Sequence, residues 1–245
     1  MADRTPQRAD ETDPTTDPTT DPTTVPKTDQ DVLEAGAGER TRRLLVEAAT
    51  LGFAYDGVHT ASLLEITRRA GQRNRGAVHY HFGSRTGMLV AVLERHVDLI
   101  ADRQRELLTR AQEQPDDDLV SAVEALTLPA VELAAMGPQQ RAYLSILAQL
   151  VDDADEQMDP AVVVVLHRTG GYEAFALAEE RMPPMAAEVR AERLALVAAF
   201  TLRTVADRGR AAERADGRAQ LPDGPFAANL VAMVVGMLGA PAPTA

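Results

Sequence analysis

A group of hydrogen-bond donors between residues 73 and 80 is the part of this sequence best suited to bind another molecule. The group consists of Arg73, Asn74, Arg75, Gly76, His79 and Tyr80. Arginine can donate two hydrogen bonds to guanine, asparagine can pair with adenine, and histidine or tyrosine can reach a phosphate oxygen. Glycine lets a backbone approach closely, and the N-terminus of a helix favours an anion such as phosphate. These residue types predict contacts with the base edges and phosphates of duplex DNA.

Two short helices are predicted to position these donors. Ser62 is followed three residues later by Glu65, which is the pattern of a capping box and predicts that a helix begins just after the serine. Gly71 ends that helix because glycine adopts positive φ without strain at Cβ. Asn74 is a suitable N-cap for a second helix over residues 75–82. Two short helices joined by such a turn are typical of a helix-turn-helix.

Longer helices are predicted on either side of this pair. Apolar residues within 44–53 recur at spacings of one, three and four, which predicts an amphipathic helix from Thr41 to about Gly57. Ser84 is a suitable cap for a fourth helix that continues to about Gln114. The inner face of the first helix is expected to support the two short ones.

The stretches 62–71 and 76–89, taken together, resemble the DNA-binding domain of TetR-type bacterial transcriptional regulators. The resemblance covers about residues 39–93 by motif. It implies that DNA contacts come from eight residues, namely Ser62, Arg73, Asn74, Arg75, Gly76, His79, Tyr80 and Arg85. The turn 71–74 is one residue longer than the common form of the family, which leaves the angle between the two helices open.

Two of these positions differ in residue type from the usual pattern of the family. Arg85 stands where lysine is usual and keeps the positive charge, so the resemblance implies a phosphate contact at the start of the fourth helix. His79 occupies the usual tyrosine position and Tyr80 follows it. The implied phosphate contact is therefore assigned to the pair and not to one residue.

The predicted fold is all-α, with about nine helices in two folded domains. The resemblance implies a three-helix DNA-binding domain over residues 39–84 and a larger effector-binding and dimerisation domain over residues 85–240. Proline and glycine punctuate the second domain. The helices predicted after the fourth are 118–136, 138–151, 160–182 with a bend at 170–171, 186–212 and 225–238.

The function implied by the resemblance is that of a ligand-responsive repressor that binds a palindromic operator in double-stranded DNA as a homodimer. Wide apolar faces on the last two helices fit either a dimer interface or an intrachain core, and the resemblance favours the dimer. A small-molecule effector is expected among helices four to eight. His96, Tyr143 and His167 are the candidate ligand-binding residues, because each can offer one polar group inside an apolar wall.

Charge is distributed unevenly along the chain. The net charge is −12, yet residues 39–88 hold 8 basic and 4 acidic side chains, so the predicted DNA-binding region is positive. Residues 1–38 hold 3 basic and 9 acidic side chains, with Asp-Pro-Thr-Thr repeated from Asp13. This composition predicts a disordered acidic tail. The tail is either a solvated extension without a role or a competitor of DNA phosphates for the arginines.

Several classes of site and location are not predicted. The chain has no cysteine, so it can form neither disulfides nor thiolate metal sites. No apolar run approaches the ~20 residues of a membrane span, and the N-terminus has no apolar core of a signal peptide, which favours a cytoplasmic protein. His79 and His81 are two residues apart, so they point away from each other on a helix and predict no metal site. No nucleophile or glycine-rich phosphate loop accompanies the aspartates, so we expect neither an enzyme nor a cofactor.

One alternative function remains open at this point. The added turn residue and the net acidity also fit a helical small-molecule-binding dimer that has lost sequence-specific DNA binding. Binding to operator DNA distinguishes the two.

Overall fold

The computed structural model of the protein describes residues 29–152, 158–212 and 219–242. Within these ranges the chain forms ten α-helices and no strand, which confirms the predicted all-α fold. The helices are α1 (Asp29–Asp56), α2 (Leu63–Arg69), α3 (Ala77–Phe82), α4 (Arg85–Gln112), α5 (Leu119–Ala135), α6 (Pro138–Asp152), α7 (Pro160–His167), α8 (Gly171–Glu180), α9 (Ala187–Ala212) and α10 (Asp223–Gly239).

Serine side chains cap the helices α2 and α4 as predicted. Ser62 Oγ accepts a hydrogen bond from the N–H of Glu65 at 3.3 Å, and Ser84 Oγ accepts one from the N–H of Gly87 at 3.0 Å. The predicted capping box is wrong in its second half, because the carboxylate of Glu65 accepts from Arg68 and not from the backbone of Ser62. The hydroxyl alone therefore caps α2.

The first helix is longer than predicted. It begins at Asp29 and not at Thr41, so residues 29–38, which were predicted to belong to the disordered tail, are helical. These residues follow Pro26, the last proline of the tail, and include leucine, glutamate and alanine, which favour helix. The rest of the predicted tail, residues 1–28, lies outside the described residues.

The predicted helix over residues 160–182 is wrong as a single element, since the structure divides it into α7 and α8. Gly170 separates them with φ of +79°, in the left-handed region. Because that conformation cannot continue a right-handed helix, the bend predicted at 170–171 is a complete break. The described residues consequently form ten helices and not about nine.

Glycines allow α1, α2, α3 and α4 to approach one another closely. A Cβ on Gly52 of α1 would lie 2.8 Å from Cγ1 of Ile66 in α2. A Cβ on Gly87 of α4 would overlap the carbonyl oxygen of Phe82, the last residue of α3. Side chains at these two positions would push the short helices away from the long ones. The absence of Cβ therefore helps to set the position of α3.

Residues 38–245 form one unit that includes both predicted folded domains, 39–84 and 85–240. The division between these two domains stays a prediction. In the C-terminal part, α4 packs against α5 and α7, α6 packs against α9, and α10 packs against α5 and α9. None of the described helices combines the length and the apolar character that crossing a membrane requires.

Candidate nucleic-acid interface

The short helix α3 turns its first two residues inward and the next two outward. Ala77 and Val78 are buried in the hydrophobic core, whereas His79 and Tyr80 are exposed, the tyrosine to 83%. This is the orientation that the apolar spacing predicts. A phenol at this level of exposure is available to a binding partner.

The turn before α3 is organised by Asn74. Its side-chain oxygen accepts a hydrogen bond from the N–H of Gly76 at 2.9 Å, and its carbonyl oxygen accepts one from the N–H of Ala77 at 3.1 Å. The helix itself begins at Ala77 with Gly76 as N-cap, so the predicted start at residue 75 and the predicted cap are wrong by two residues. Asn74 nevertheless satisfies a backbone donor in the turn, as asparagine commonly does. Arg75 consequently lies in the turn and not on the helix.

Arginines at the turn are unpaired, whereas those of α2 are paired. Arg73 and Arg75 are exposed, and no described side chain forms an ion pair or a hydrogen bond with either guanidinium. Arg68 and Arg69 both donate to the carboxylate of Glu65, at 2.7 Å and 3.1 Å. The hydrogen bonds from Arg68 are the largest cause of the lowered pKa of Glu65, about 2. The positive charge available to a phosphate or a base therefore lies on the turn.

Arg85, at the start of α4, makes contacts that the sequence did not predict. Its Nη1 donates to the carbonyl oxygen of Val58 at 3.0 Å, and its Nη2 donates to that of Ala61 at 2.7 Å. The guanidinium also lies 5.9 Å from the ring centroid of Phe53. The side chain thus supports the turn between α1 and α2. Its predicted phosphate contact stays a prediction, and any such contact must be made by N–H groups that these bonds leave over.

Gln149 of α6 holds the same turn and was missed in the sequence. Its Oε1 accepts from the N–H of Val58 at 3.0 Å, and its Nε2 donates to the carbonyl oxygen of Phe53 at 3.2 Å. The partners are 91 and 96 residues away in the chain, so no local pattern could have indicated them. The glutamine is nonetheless a direct link between α6 and the helix-turn-helix region.

Two of the three candidate ligand-binding residues meet in the core. The rings of His96 in α4 and Tyr143 in α6 have centroids 5.0 Å apart, and the residues are 2% and 0% exposed. Both ring nitrogens of His96 and the hydroxyl of Tyr143 are buried without a hydrogen-bond partner in the described residues. Burial, and secondarily the charge of Arg95, lowers the pKa of His96 to about 4, and burial raises the pKa of Tyr143. The histidine is therefore neutral at pH 7.

The third candidate, His167, does not belong to this pair. It is exposed at the end of α7 and stacks on Tyr172 of α8, with ring centroids 4.1 Å apart. The expectation that it lies inside an apolar wall is wrong, because the break at Gly170 ends α7 at the surface and places the two rings side by side in water.

One face of α10 is largely apolar, and no described residue covers it. Leu230 and Val234 are buried against the chain's own core, so that part of the predicted apolar stripe is intrachain. The opposite face is exposed and consists of Ala228, Asn229, Ala232, Met233, Gly236 and Gly239. Asp223 in the first turn is the only charged residue of the helix. A groove between α9 and α10, lined in part by Phe200 and Met233, continues this surface.

Metal-binding chemistry finds no support among the described residues. No group of three or more histidine, aspartate or glutamate side chains there could hold a metal ion. His79 and His81, which the spacing had already separated, lie next to Tyr80 on α3, and the ring of His81 meets that of Tyr80 edge to face at 4.9 Å.

Three known proteins resemble this chain in sequence. It is 34% identical to the HTH-type transcriptional regulator SrpR of Pseudomonas putida over 113 residues, 46% of this chain and 48% of that protein. It is 33% identical to the uncharacterized HTH-type transcriptional regulator TtgW, also of Pseudomonas putida, over 46% of this chain and 76% of that protein. It is 32% identical to the HTH-type transcriptional activator FasR of Mycolicibacterium smegmatis, over 56% of this chain and 63% of that protein. The chain thus spans about half the length of SrpR.

Solved structures give a more distant similarity, and no family model matches the sequence. Salmonella enterica GusR is 18% identical with a TM-score of 0.42, covering 81% of this chain and 95% of that one. A TetR-family regulator from Streptomyces coelicolor is 18% identical with a TM-score of 0.30, covering 82% of this chain and 95% of that one.

Proposed function

The chain belongs to the HTH-type transcriptional regulators, and we propose that it is a regulator of the TetR type that binds operator DNA as a homodimer and releases it in response to a small molecule. The observation that carries the proposal is the pair of exposed arginines on the turn before α3, neither of which has an acidic partner in the described residues. A cytoplasmic location follows from the proposed partner.

The DNA-contacting surface consists of the turn and the outer face of α3. Arg73 and Arg75 supply guanidinium groups that can bind a guanine edge or a phosphate, and neither must first leave a carboxylate. His79 and Tyr80 face solvent beside them and can donate to phosphates. The side chain of Ser62 accepts from an N–H in the first turn of α2, and that of Asn74 accepts from an N–H in the turn before α3, so their part in binding is to hold α2 and the turn in place.

Dimerisation through α9 and α10 is supported by the uncovered face of α10. A helix of 17 residues with one charged side chain exposes alanine, methionine and glycine over most of its length, with Asn229 as the polar exception beyond the first turn. Small residues on such a face let a second helix approach closely. A second copy of the chain fits best, because two reading helices related by a twofold axis are needed for half-sites about 34 Å apart.

The effector site is proposed between α4 and α6, at His96 and Tyr143. Each of these buried polar groups without a partner destabilises the ligand-free fold by about 1–3 kcal/mol, and a ligand that forms hydrogen bonds with the groups removes that penalty. The imidazole is neutral and the phenol is protonated, so both favour an uncharged polar group on an otherwise apolar molecule. The absence of charge at the pair supports this ligand class.

The proposal is tested by selecting DNA fragments from the organism's own genome with the full-length protein and measuring their affinity. We expect a palindromic sequence to be enriched and to bind about 10³-fold or more tightly than random DNA. Retention of no specific fragment by a well-folded dimer would favour the alternative, a helical ligand-binding dimer that does not read DNA. Size measurement of the same sample by light scattering checks the dimer.

A further inference from the structure

The turn between α1 and α2, residues 57–61, forms hydrogen bonds with two helices of the C-terminal part, α4 and α6. Val58 is the shared point, and it is only 2% exposed. Its N–H donates to Oε1 of Gln149 in α6 at 3.0 Å, and its carbonyl oxygen accepts from Nη1 of Arg85 in α4 at 3.0 Å. One peptide segment therefore depends on α6 on one side and on α4 on the other.

The same two helices carry the buried aromatic pair. His96 lies on α4 and Tyr143 on α6, and their rings are in contact at a centroid distance of 5.0 Å. Gln149 follows Tyr143 on one helix, and Arg85 precedes His96 on the other. The spacing of the rings and the geometry of the turn are thus set by the same pair of helices.

We propose that Val58 transmits ligand binding to the DNA-reading helices, with Gln149 and Arg85 as positioning residues; this rests on the proposed function. A ligand inserted between His96 and Tyr143 must separate α4 from α6. Because Val58 is bonded to both helices, its bonds to one of them must then lengthen or break. Ser62, the N-cap of α2, directly follows the turn and lies four residues after Val58, so a displaced turn carries α2 and α3 with it.

Other links between α1 and the C-terminal part are weaker candidates for this role. Glu47 pairs with Arg95 at 2.8 Å, but both side chains are about one-third exposed, and such surface pairs contribute little. Arg210 lies 5.8 Å from the ring centroid of Tyr55, which is half exposed. The bonds at Val58 differ because they satisfy buried backbone groups, which must keep a partner.

Hydrogen–deuterium exchange of the full-length protein without DNA tests the link directly. Gln149→Leu removes the partner of the Val58 N–H with little change in volume, and we expect exchange in residues 57–61 to accelerate about tenfold. Gln104→Leu is the matched control, because Gln104 of α4 also donates across helices, to the carbonyl oxygen of Ala125, but does not touch the turn. Equal exchange at the turn in both variants would overturn the proposal.

A larger side chain between α4 and α6, which acts as a wedge, tests whether separation of these helices is transmitted to the DNA-reading helices. Tyr143→Trp enlarges the ring between α4 and α6 in place of a ligand, and His96→Trp serves if the first variant does not fold. We expect the wedge to accelerate exchange at residues 57–61 and to change the affinity for a selected DNA fragment about fivefold or more. In the Gln149→Leu background the change in affinity is expected to fall to less than half, whereas in the Gln104→Leu background it persists in full.

The outcomes separate this inference from the proposed function. If the wild-type protein selects no specific DNA, the proposed function fails while the exchange experiment still reports on the turn. If it selects DNA but the wedge acts equally in the Gln149→Leu and Gln104→Leu backgrounds, only the role of Val58 fails. A wedge that leaves both exchange and affinity unchanged also overturns it.

Discussion

Polar groups without a described protein partner occur in two regions of this protein. Their effect on stability differs, because water hydrates the groups in one region and is excluded from the other. At the turn before α3, the guanidinium groups of Arg73 and Arg75 have no described partner, yet they are exposed and hydrated. Between α4 and α6, the ring nitrogens of His96 and the hydroxyl of Tyr143 also lack partners, but they are buried. The first set costs the fold nothing, whereas the second set destabilises it.

The difference indicates two ways of preparing a binding site. Exposed cations keep their charge and attract a phosphate-rich partner from a distance, with a strength that falls with salt. Buried neutral groups are inaccessible until α4 and α6 separate, and a ligand then forms the hydrogen bonds that these groups lack in the ligand-free fold. We expect DNA affinity and effector affinity to respond to different variants for this reason.

The largest expected effect tests the buried region. Tyr143→Ala removes a ring that is 0% exposed, and we expect a loss of about 3–5 kcal/mol in the free energy of unfolding, measured by urea denaturation. Tyr143→Phe removes only the unpartnered hydroxyl, so stability should stay unchanged or rise by up to about 1 kcal/mol. A large loss in the phenylalanine variant would show that the hydroxyl has a partner and would break the comparison.

The pH dependence of stability tests the burial of His96. Its pKa is lowered from 6.5 to about 4 in the folded protein, so the unfolded chain binds the proton more readily. The free energy of unfolding is therefore highest above pH 6.5, where the imidazole is neutral in both states, and it falls by about 3 kcal/mol as the pH decreases from 6.5 toward 4. Urea denaturation at several pH values should give a shallower pH dependence in His96→Leu, and the same slope as wild type would contradict the assignment.

Removal of an exposed arginine is expected to affect DNA binding and not stability. Arg75→Ala should lose about 1–3 kcal/mol of binding free energy on a selected fragment, most strongly at one base position, while the urea midpoint stays at the wild-type value. Arg68→Ala is the matched control, because that guanidinium is bonded to Glu65. A mobility-shift titration that gives equal losses for both variants would remove the distinction between free and paired arginines.

The smallest expected effect concerns the turn that presents these arginines. Asn74→Ala removes the side-chain oxygen that accepts from the N–H of Gly76, and we expect about 1 kcal/mol of destabilisation. Asn74→Asp keeps the acceptor and should restore stability while it weakens DNA binding through its charge. Parallel urea and DNA titrations of the two variants separate the roles of the side chain in folding and in binding.

The part of the fold that could be predicted is the part with local signals. Ser62 and Ser84 start helices α2 and α4 as predicted, and Gly71 has the positive φ, +70°, that the end of α2 requires. Tyr80 and His79 face outward because the buried alternatives on α3 are Ala77 and Val78. Errors arose where local signals were ambiguous, as in the start of α1 and in the break at Gly170.

Contacts of long chain separation were beyond prediction. His96 and Tyr143 are lone polar residues in apolar helices, and nothing in their sequence neighbourhood indicates that the two rings meet while His167 lies outside. No local pattern indicates the role of Gln149. The resemblance implies a phosphate contact for Arg85, whereas the hydrogen bonds of Arg85 to Val58 and Ala61 could not be predicted, because they depend on how α4 lies beside the turn. Only packing of the helices creates these neighbours.

The sequence by itself determined the helical class, the helix-turn-helix and the donors on its outer face, since caps, glycines and apolar spacing act within one or two turns of chain. The tertiary structure decided which polar groups keep water and which lose it. That choice depends on helices far apart in the chain closing over one another, and the free energy of a polar group depends on its solvent more than on its neighbours in sequence.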